Sequence, residues 1–307
     1  MYSQIIRAGI LGFGPLGENL AKQLGTDSRF ELISIVDNDP SKLGKEIGTI
    51  KITNNLQEVI DNYKLDLVFI TTSSLLERIK ADLIKISSKE INIISSCEEL
   101  IYPWISHPEL SQELDKIAKT NNARILGTGI NPGFLMDYLP ITLASPFLKV
   151  QEINYIRNIN TKFRRSSFVA KVGVGLSIEE FKTKKQEGRI GHVGFKQSVD
   201  MLTSHFKWTS QDYTEKIEPV IVNDTVEGID QTCVCICADK KKIKLNFTAT
   251  KNTQDNDLIS LKLKSGESVD IEIKQGINGE SGTVAMLMNS AEKLLKSQPG
   301  LKTMIDI

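Results

Sequence analysis

Cysteine is scarce, with four residues in 307, and excess charge of either sign is absent, 38 Lys and Arg facing 38 Asp and Glu. The charge balance leaves no long-range field to draw the protein to nucleic acid or anionic lipid. A small molecule is therefore the expected partner. No apolar run approaches the roughly 20 residues that span a bilayer. The opening "MYSQIIRAGILGFG" also lacks the order of charged, apolar and small residues that marks a signal peptide, so the expected location is cytoplasmic and no membrane is expected as partner. The few cysteines fit a reducing compartment. Three of them, Cys233, Cys235 and Cys237, alternate in "TCVCICA" and would share one face of a strand. Zinc normally takes four ligands, and Cys97 stands beside a different strand, so core packing outweighs a thiolate site and no metal is expected. No internal repeat or low-complexity tract is present. The length is about twice that of a typical single domain and buries a core without staples, so two domains are expected.

What is present begins with glycine. The apolar segment of "QIIRAGILGFG" leads to Gly12, Gly14 and Gly17 at G-x-G-x-x-G spacing, then to the helical pattern "ENLAKQL". In a strand, tight turn and helix start, Gly12 permits the turn, Gly14 lets a pyrophosphate approach the backbone, and Gly17 lets the helix pack on the strand. Free N–H groups and the helix dipole would hold the phosphate, with Phe13, Pro15 and Leu16 completing the turn around it. Alone the pattern is a weak signal, and its context strengthens it. The next strand, "FELISIVD", ends at Asp37, 20 residues after Gly17, where a carboxylate bonds the adenosine ribose and repels the extra phosphate of NADP. NAD is the expected cofactor, with NADP as the alternative. Lys42 and Lys45 would soften that preference, but they read first as solvated helix charges.

Extended and helical segments then alternate through "TIKIT", "NLQEVIDNY", "LDLVFITTS", "LLERIKADLIKISSK", "INIISS", "PELSQELDKIAKTNN" and "ARILGTG". Strands separated by helices of about 10 to 15 residues imply right-handed crossovers and a parallel sheet. Ligands of such sheets lie beyond the carboxyl ends of the strands. That rule points to Thr71, Thr72 and Ser73 in one loop and to "SSCEELIYPW", Cys97 included, in another. From Phe134 onward the strands "EINYIRNI", "EPVIVND", "DQTCVCICA", "KIKLNFTAT", "LISLKLKS" and "VDIEIKQ" are joined by close turns, with helices near "SIEEFKTKKQ" and "GFKQSVDMLTSHF". They predict a mixed or antiparallel sheet with helices on one face. The expected class is α/β, an N-terminal Rossmann dinucleotide-binding domain joined to an α+β domain. The expected segments are 1–133 for the first, 134–282 for the second, which would bind substrate and form a homodimer, and 283–307 for a helix returning to the junction.

The stretches "SSCEELIYPW" and "GTGINPGFLMDYLP" resemble those of the 2,4-diaminopentanoate dehydrogenases, a branch of the dihydrodipicolinate reductase-like superfamily that also includes amine dehydrogenases. "KFRRSSFVAKVGVGLSIEEF", "GRIGHVGFKQS" and "TVAMLMNSAEKLLKSQPGLKTMIDI" resemble family segments in the same order, so the likeness covers nearly the whole chain. The chain departs from the family pattern at Asn160, where an acidic residue is common, at Gln197, often Glu, at Glu280, often Asp, and near Asp230, where His or another polar residue is common. These departures bear on the substrate more than on the reaction.

The resemblance implies oxidative deamination. The 4-amino carbon gives a hydride to NAD, and water releases ammonia, leaving 2-amino-4-oxopentanoate. This chemistry needs a base and groups for the amino acid end. Glu98 is the first choice of base and Glu99 the second, since carboxylates at the end of a parallel strand face the nicotinamide. Their alternative is the start of a helix, where acids favour the dipole. Asn131, with Pro132 and Gly133 in "GINPGF", either orients cofactor and substrate or forms an ordinary turn. His192 in "GHVG" is a donor to substrate or second proton carrier, against a structural role, while His107 and His205 are read as structural. Arg164 and Arg165, near a strand end, would clamp the substrate carboxylate, although adjacent strand residues face opposite sides. Lys171 either reaches the substrate or flanks a turn, and Asn289 either bonds backbone or packs. The rival readings are an amine dehydrogenase for simpler amines, a dihydrodipicolinate or diaminopimelate-type oxidoreductase, and a non-catalytic NAD sensor. The reductase lacks its adjacent His-His motif here.

Overall fold

The computed structural model describes residues 5–307; the start of the N-terminal "MYSQ" lies outside them. Strand β1 (Ile6–Leu11) is buried at every position but Arg7, as a strand covered on both faces must be. Helix α1 (Pro15–Leu24) starts with the proline suited to a first helical position and buries Gly17, Leu20, Ala21 and Leu24, a stripe at helical spacing. Next come β2 (Phe30–Val36), the hairpin β3 (Glu46–Ile47) and β4 (Ile50–Lys51), and α2 (Leu56–Asn62), whose first turn is capped by the Asn55 side chain. The alternation continues through β5 (Leu67–Ile70), α3 (Leu76–Ser87), β6 (Asn92–Ser95), a 3-10 turn at Glu98–Leu100, α4 (Pro103–Ser106), α5 (Pro108–Thr120) and β7 (Arg124–Gly127).

Contacts divide the chain after Phe134 and again after Asn278. The unit Leu135–Asn278 contains α6 (Tyr138–Ala144), β8 (Val150–Asn160), α7 (Ser166–Lys171), α8 (Ile178–Gln186), α9 (Phe195–Phe206), β9 (Ser210–Val222), β10 (Thr225–Cys237), β11 (Lys242–Thr250), β12 (Asn256–Leu263) and β13 (Ser268–Lys274). Its sheet runs β13-β12-β8-β11-β10-β9. All pairs are antiparallel except β11 with β8. Ile153, Tyr155, Arg157 and Ile159 of β8 are buried, while Ile156 on the opposite face is exposed. Cys233, Cys235 and Cys237 line the buried face of β10 as free thiols, with the Cys235 and Cys237 sulfurs 3.7 Å apart.

The remaining segment belongs to the first unit. Helix α10 (Gly279–Lys296) begins before the boundary expected at 283, and the chain ends in a strand, β14 (Gly300–Lys302), where helix was expected. β14 pairs in parallel with β7 and buries Leu301 in the core. The first sheet is wholly parallel, in the order β14-β7-β6-β5-β1-β2. Successive connections leave β1 in opposite directions, toward β2 and toward β5, and such a switch point opens a crevice at the strands' carboxyl ends. No helix among the described residues is long and apolar enough to cross a membrane.

Candidate active site

The glycine turn sits at this switch point, and its three glycines meet different surroundings. Gly12 has φ +99°, and a Cβ there would lie 2.7 Å from Thr72 Cγ2. A Cβ on Gly17 would lie 2.1 Å from the Gly12 carbonyl oxygen, so only glycine lets α1 pack this close. Around Gly14 the same construction meets nothing within 4 Å. Gly14 also caps α1 without a side-chain hydrogen bond, leaving the first-turn N–H groups of Leu16 and Gly17 facing a cradle that a side chain would fill. A phosphate fits that donor set. The Thr71 hydroxyl donates to the Gly12 carbonyl (2.7 Å) and the Ser73 hydroxyl accepts from Leu75 N–H (3.1 Å). These two hydroxyls brace loops, and Thr72 is the exposed member of the three.

Asp37 follows β2, and its Oδ2 accepts the Phe13 N–H at 2.5 Å while Oδ1 accepts the Asp39 N–H at 2.7 Å. The carboxylate thus reaches over the glycine turn. Lys42 is not the solvated helix charge expected. It lies in a turn, donates from Nζ to the Phe13 carbonyl (2.6 Å) and stands 3.5 Å from Asp37 Oδ2. Lys45 is exposed.

At the carboxyl end of β6, the adjacent acids differ. Glu99 Oε2 accepts the N–H of Leu76, the first residue of α3, at 2.7 Å, and lies 3.9 Å from His107 Nε2. Glu98 is half-buried, and among the described residues its carboxylate has no hydrogen-bond or ion-pair partner. Cys97 is fully buried and packs in the core, where burial pushes its thiol up to about 12. Only its main chain is available to a cofactor. Asn131 is half-buried in the turn after β7, between buried Ile130 and Pro132; the Ile130 N–H donates to Thr283 of α10 at 3.3 Å. Asn289, also on α10, accepts from the Arg29 side chain at 3.1 Å, a partner that neither of its two expected roles named.

In the second unit, β8 ends before the arginines: Arg164 closes a 3-10 turn at a bend, and Arg165 directly precedes α7. Arg164 binds Asp255 at 2.5 Å and is committed there, whereas Arg165 is exposed. Lys171 and His192 are brought together, since the Gly191 N–H donates to the Lys171 carbonyl at 3.1 Å. The His192 ring stacks on Phe247, centroids 5.2 Å apart. Its peptide is held by Gln231, whose Oε1 accepts the His192 N–H (2.7 Å) and whose Nε2 donates to the His192 carbonyl (2.8 Å). Gln231 and Lys42 are the two site residues that sequence reasoning missed or discounted. Lys42 carried a signal in its nearness to Asp37, and Gln231 carried none.

A parallel sheet with a glycine turn at its switch point, an acid closing the second strand and an attached mixed-sheet unit together define a class, the dehydrogenases built on a dinucleotide-binding domain. Within that class the chain belongs to the 2,4-diaminopentanoate dehydrogenase family, whose C-terminal domain matches residues 134–307. It is similar to the 2,4-diaminopentanoate dehydrogenase of Acetoanaerobium sticklandii, at 28% identity over 98% of this chain and 93% of that one. Among solved structures it resembles the amine dehydrogenase of Mycobacterium smegmatis, with a TM-score of 0.86 at 17% identity, covering 99% of this chain and 96% of that one. The scyllo-inositol dehydrogenase of Lactobacillus casei, solved with NAD(H) and scyllo-inositol, gives a TM-score of 0.62 at 12% identity, over 94% and 90% of the two chains. At these identities the solved structures speak to the fold.

Proposed function

We propose that this protein is a nicotinamide-dependent amine dehydrogenase that deaminates a diamino acid, 2,4-diaminopentanoate, to 2-amino-4-oxopentanoate and ammonia, and runs reversibly. The observation that carries the reading is the uncommitted, half-buried Glu98 carboxylate at the carboxyl end of β6, in the same sheet as the open Gly14 cradle. NAD is the principal cofactor, with its pyrophosphate at Gly14 and the α1 N-terminus and its adenosine ribose at Asp37. When bound, its nicotinamide accepts the hydride. Glu98 first takes a proton from the substrate ammonium, so that the nitrogen lone pair can follow the hydride's departure from C4. After passing that proton to solvent, Glu98 takes another from the water that adds to the resulting C=N carbon. Glu98 then returns that proton to nitrogen and takes the remaining hydroxyl proton as the C–N bond breaks, so that ammonia leaves and the carbonyl forms. His192 and Lys171, whose main chains meet through the Gly191 N–H, are the proposed contacts for the amino acid end, with Arg165 proposed for its carboxylate and Asn131 for orienting the reacting pair. The enzyme would be a cytoplasmic homodimer of amino-acid breakdown, joined through the face of the second sheet that carries Ile156.

The test follows NADH absorbance while offering 2,4-diaminopentanoate, other diamino acids, simple amines, and the matching ketones with ammonia. Reduction of NAD that requires 2,4-diaminopentanoate supports the reading. Turnover on simple amines alone would remove the diamino acid, and tight dinucleotide binding without turnover on any of them would leave a sensor.

A further inference from the structure

Lys42 occupies a position that bears on which dinucleotide the site admits. Its side chain is 23% exposed and that of Asp37 12%, so neither is an ordinary surface charge. One carboxylate oxygen, Asp37 Oδ2, is 2.5 Å from the Phe13 nitrogen and 3.5 Å from Lys42 Nζ. The same ammonium is 2.6 Å from the Phe13 carbonyl oxygen. In a turn of this kind the acid after the second strand meets the adenosine ribose hydroxyls, and by itself it repels a phosphate on the 2′ oxygen. Here the phosphate would meet an ammonium one contact away from the carboxylate. Opposite charges at such a distance offset each other's field. A lysine is also a compact charge on a flexible stem, able to leave the Phe13 carbonyl for a phosphate oxygen without moving the backbone.

We propose that Lys42 sets the dinucleotide specificity of this protein, resting on Asp37 and the Phe13 carbonyl when the ribose is unphosphorylated and turning to the 2′-phosphate when it is not, so that NADP is admitted beside NAD. The inference rests on the dinucleotide site proposed above and deepens it. The competing role for Lys42 is a neutral brace of the glycine turn, and the two roles differ in what charge does.

The experiment titrates the full chain with NADH and NADPH separately, by nicotinamide fluorescence and with no amine present. Lys42→Gln keeps a donor for the Phe13 carbonyl but loses the charge. It should weaken NADPH binding by about tenfold or more while leaving NADH within about threefold. Lys42→Arg should retain NADPH binding, and Asp37→Asn should strengthen NADPH relative to NADH. Equal losses for both dinucleotides in Lys42→Gln would make the lysine a brace and overturn the proposal, as would a wild-type chain that binds NADH but not NADPH. Binding of neither dinucleotide would instead overturn the dinucleotide site itself. Because the readout is binding, failure of amine turnover leaves this result standing.

Discussion

Glu98 and Glu99 are neighbours in sequence with opposite obligations. The Glu99 carboxylate satisfies an N–H at the start of α3, where a negative charge is also favoured by the helix dipole, whereas Glu98 has no such duty among the described residues. The helix-start reading of "CEEL" takes another form at Glu99, whose carboxylate serves the first turn of α3 and not a helix of its own, and the catalytic reading is the one proposed for Glu98. Glu98→Gln should keep NADH affinity and lose turnover by about a hundredfold or more; a rate close to wild type would remove Glu98 from the mechanism. Glu99→Gln should lower stability by about 1 kcal/mol in urea unfolding and reduce turnover much less. If the two variants lost activity equally, the division of labour would be wrong. At this scale the sequence was legible where one residue acts on its own backbone neighbourhood, as at Gly12, Gly14 and Gly17. It was not legible where the partner is distant. Nothing in "RNINTKFRRS" says that Arg164 is claimed by Asp255, and nothing near Gln231 says that it grips residue 192.

The first strand, the glycine turn and the helix after it were readable as a unit because their signals are local: an apolar run, fixed glycine spacing and a helical pattern. Within that element Gly14 and Gly17 should respond oppositely to the same change. Gly17→Ala forces a Cβ against the Gly12 carbonyl and should destabilise the protein by about 2 kcal/mol or more, seen as a drop in Tm without ligand. Gly14 has φ −76°, which alanine accepts, and open space around it, so Gly14→Ala should leave Tm nearly unchanged and weaken NADH binding. A Gly14→Ala protein with wild-type affinity would mean that no phosphate sits there. The β10 strand offers a pH test. Burial raises the thiols of Cys233 and Cys237 from 9.0 to about 12, and that of Cys97 likewise. A thiol whose folded value is raised contributes stability in full below pH 9, and that contribution is lost as pH climbs from 9 toward 12, where the unfolded chain ionises first. Alanine or serine at Cys233 should flatten the alkaline fall in urea stability, and an unchanged fall would assign it to other groups. Native thiols should also resist a thiol reagent at pH 8 until the protein unfolds.

Over the whole molecule, what escaped the sequence is the strand that ends the returning segment. β14 is three residues long and is made a strand by β7 beside it, not by its own pattern; a segment that short carries no period. The same distance effect hides a fully buried ion pair of the second unit. Alternation in "EINYIRNI" places Arg157 on the apolar face with Ile153, Tyr155 and Ile159, an anomaly whose answer stands 100 residues away, where Asp257 Oδ1 accepts from Arg157 Nη1 at 2.8 Å and from the Tyr155 hydroxyl at 2.6 Å. Arg157 Nη2 donates to the Ile277 carbonyl (2.6 Å), and Asp257 Oδ2 accepts the Ile277 N–H (2.9 Å). The pair thus holds both main-chain groups of Ile277, two residues before Gly279, where the chain re-enters the first unit. Removing one partner strands a charge in the core, which costs roughly 3 to 5 kcal/mol, while an apolar replacement of both is far milder. Arg157→Met should therefore destabilise the second unit by about that amount in urea unfolding, and Arg157→Met with Asp257→Leu should recover a good part of the loss. If the double variant were as unstable as the two single losses added together, the damage would come from the released Ile277 segment and not from an unpaired charge.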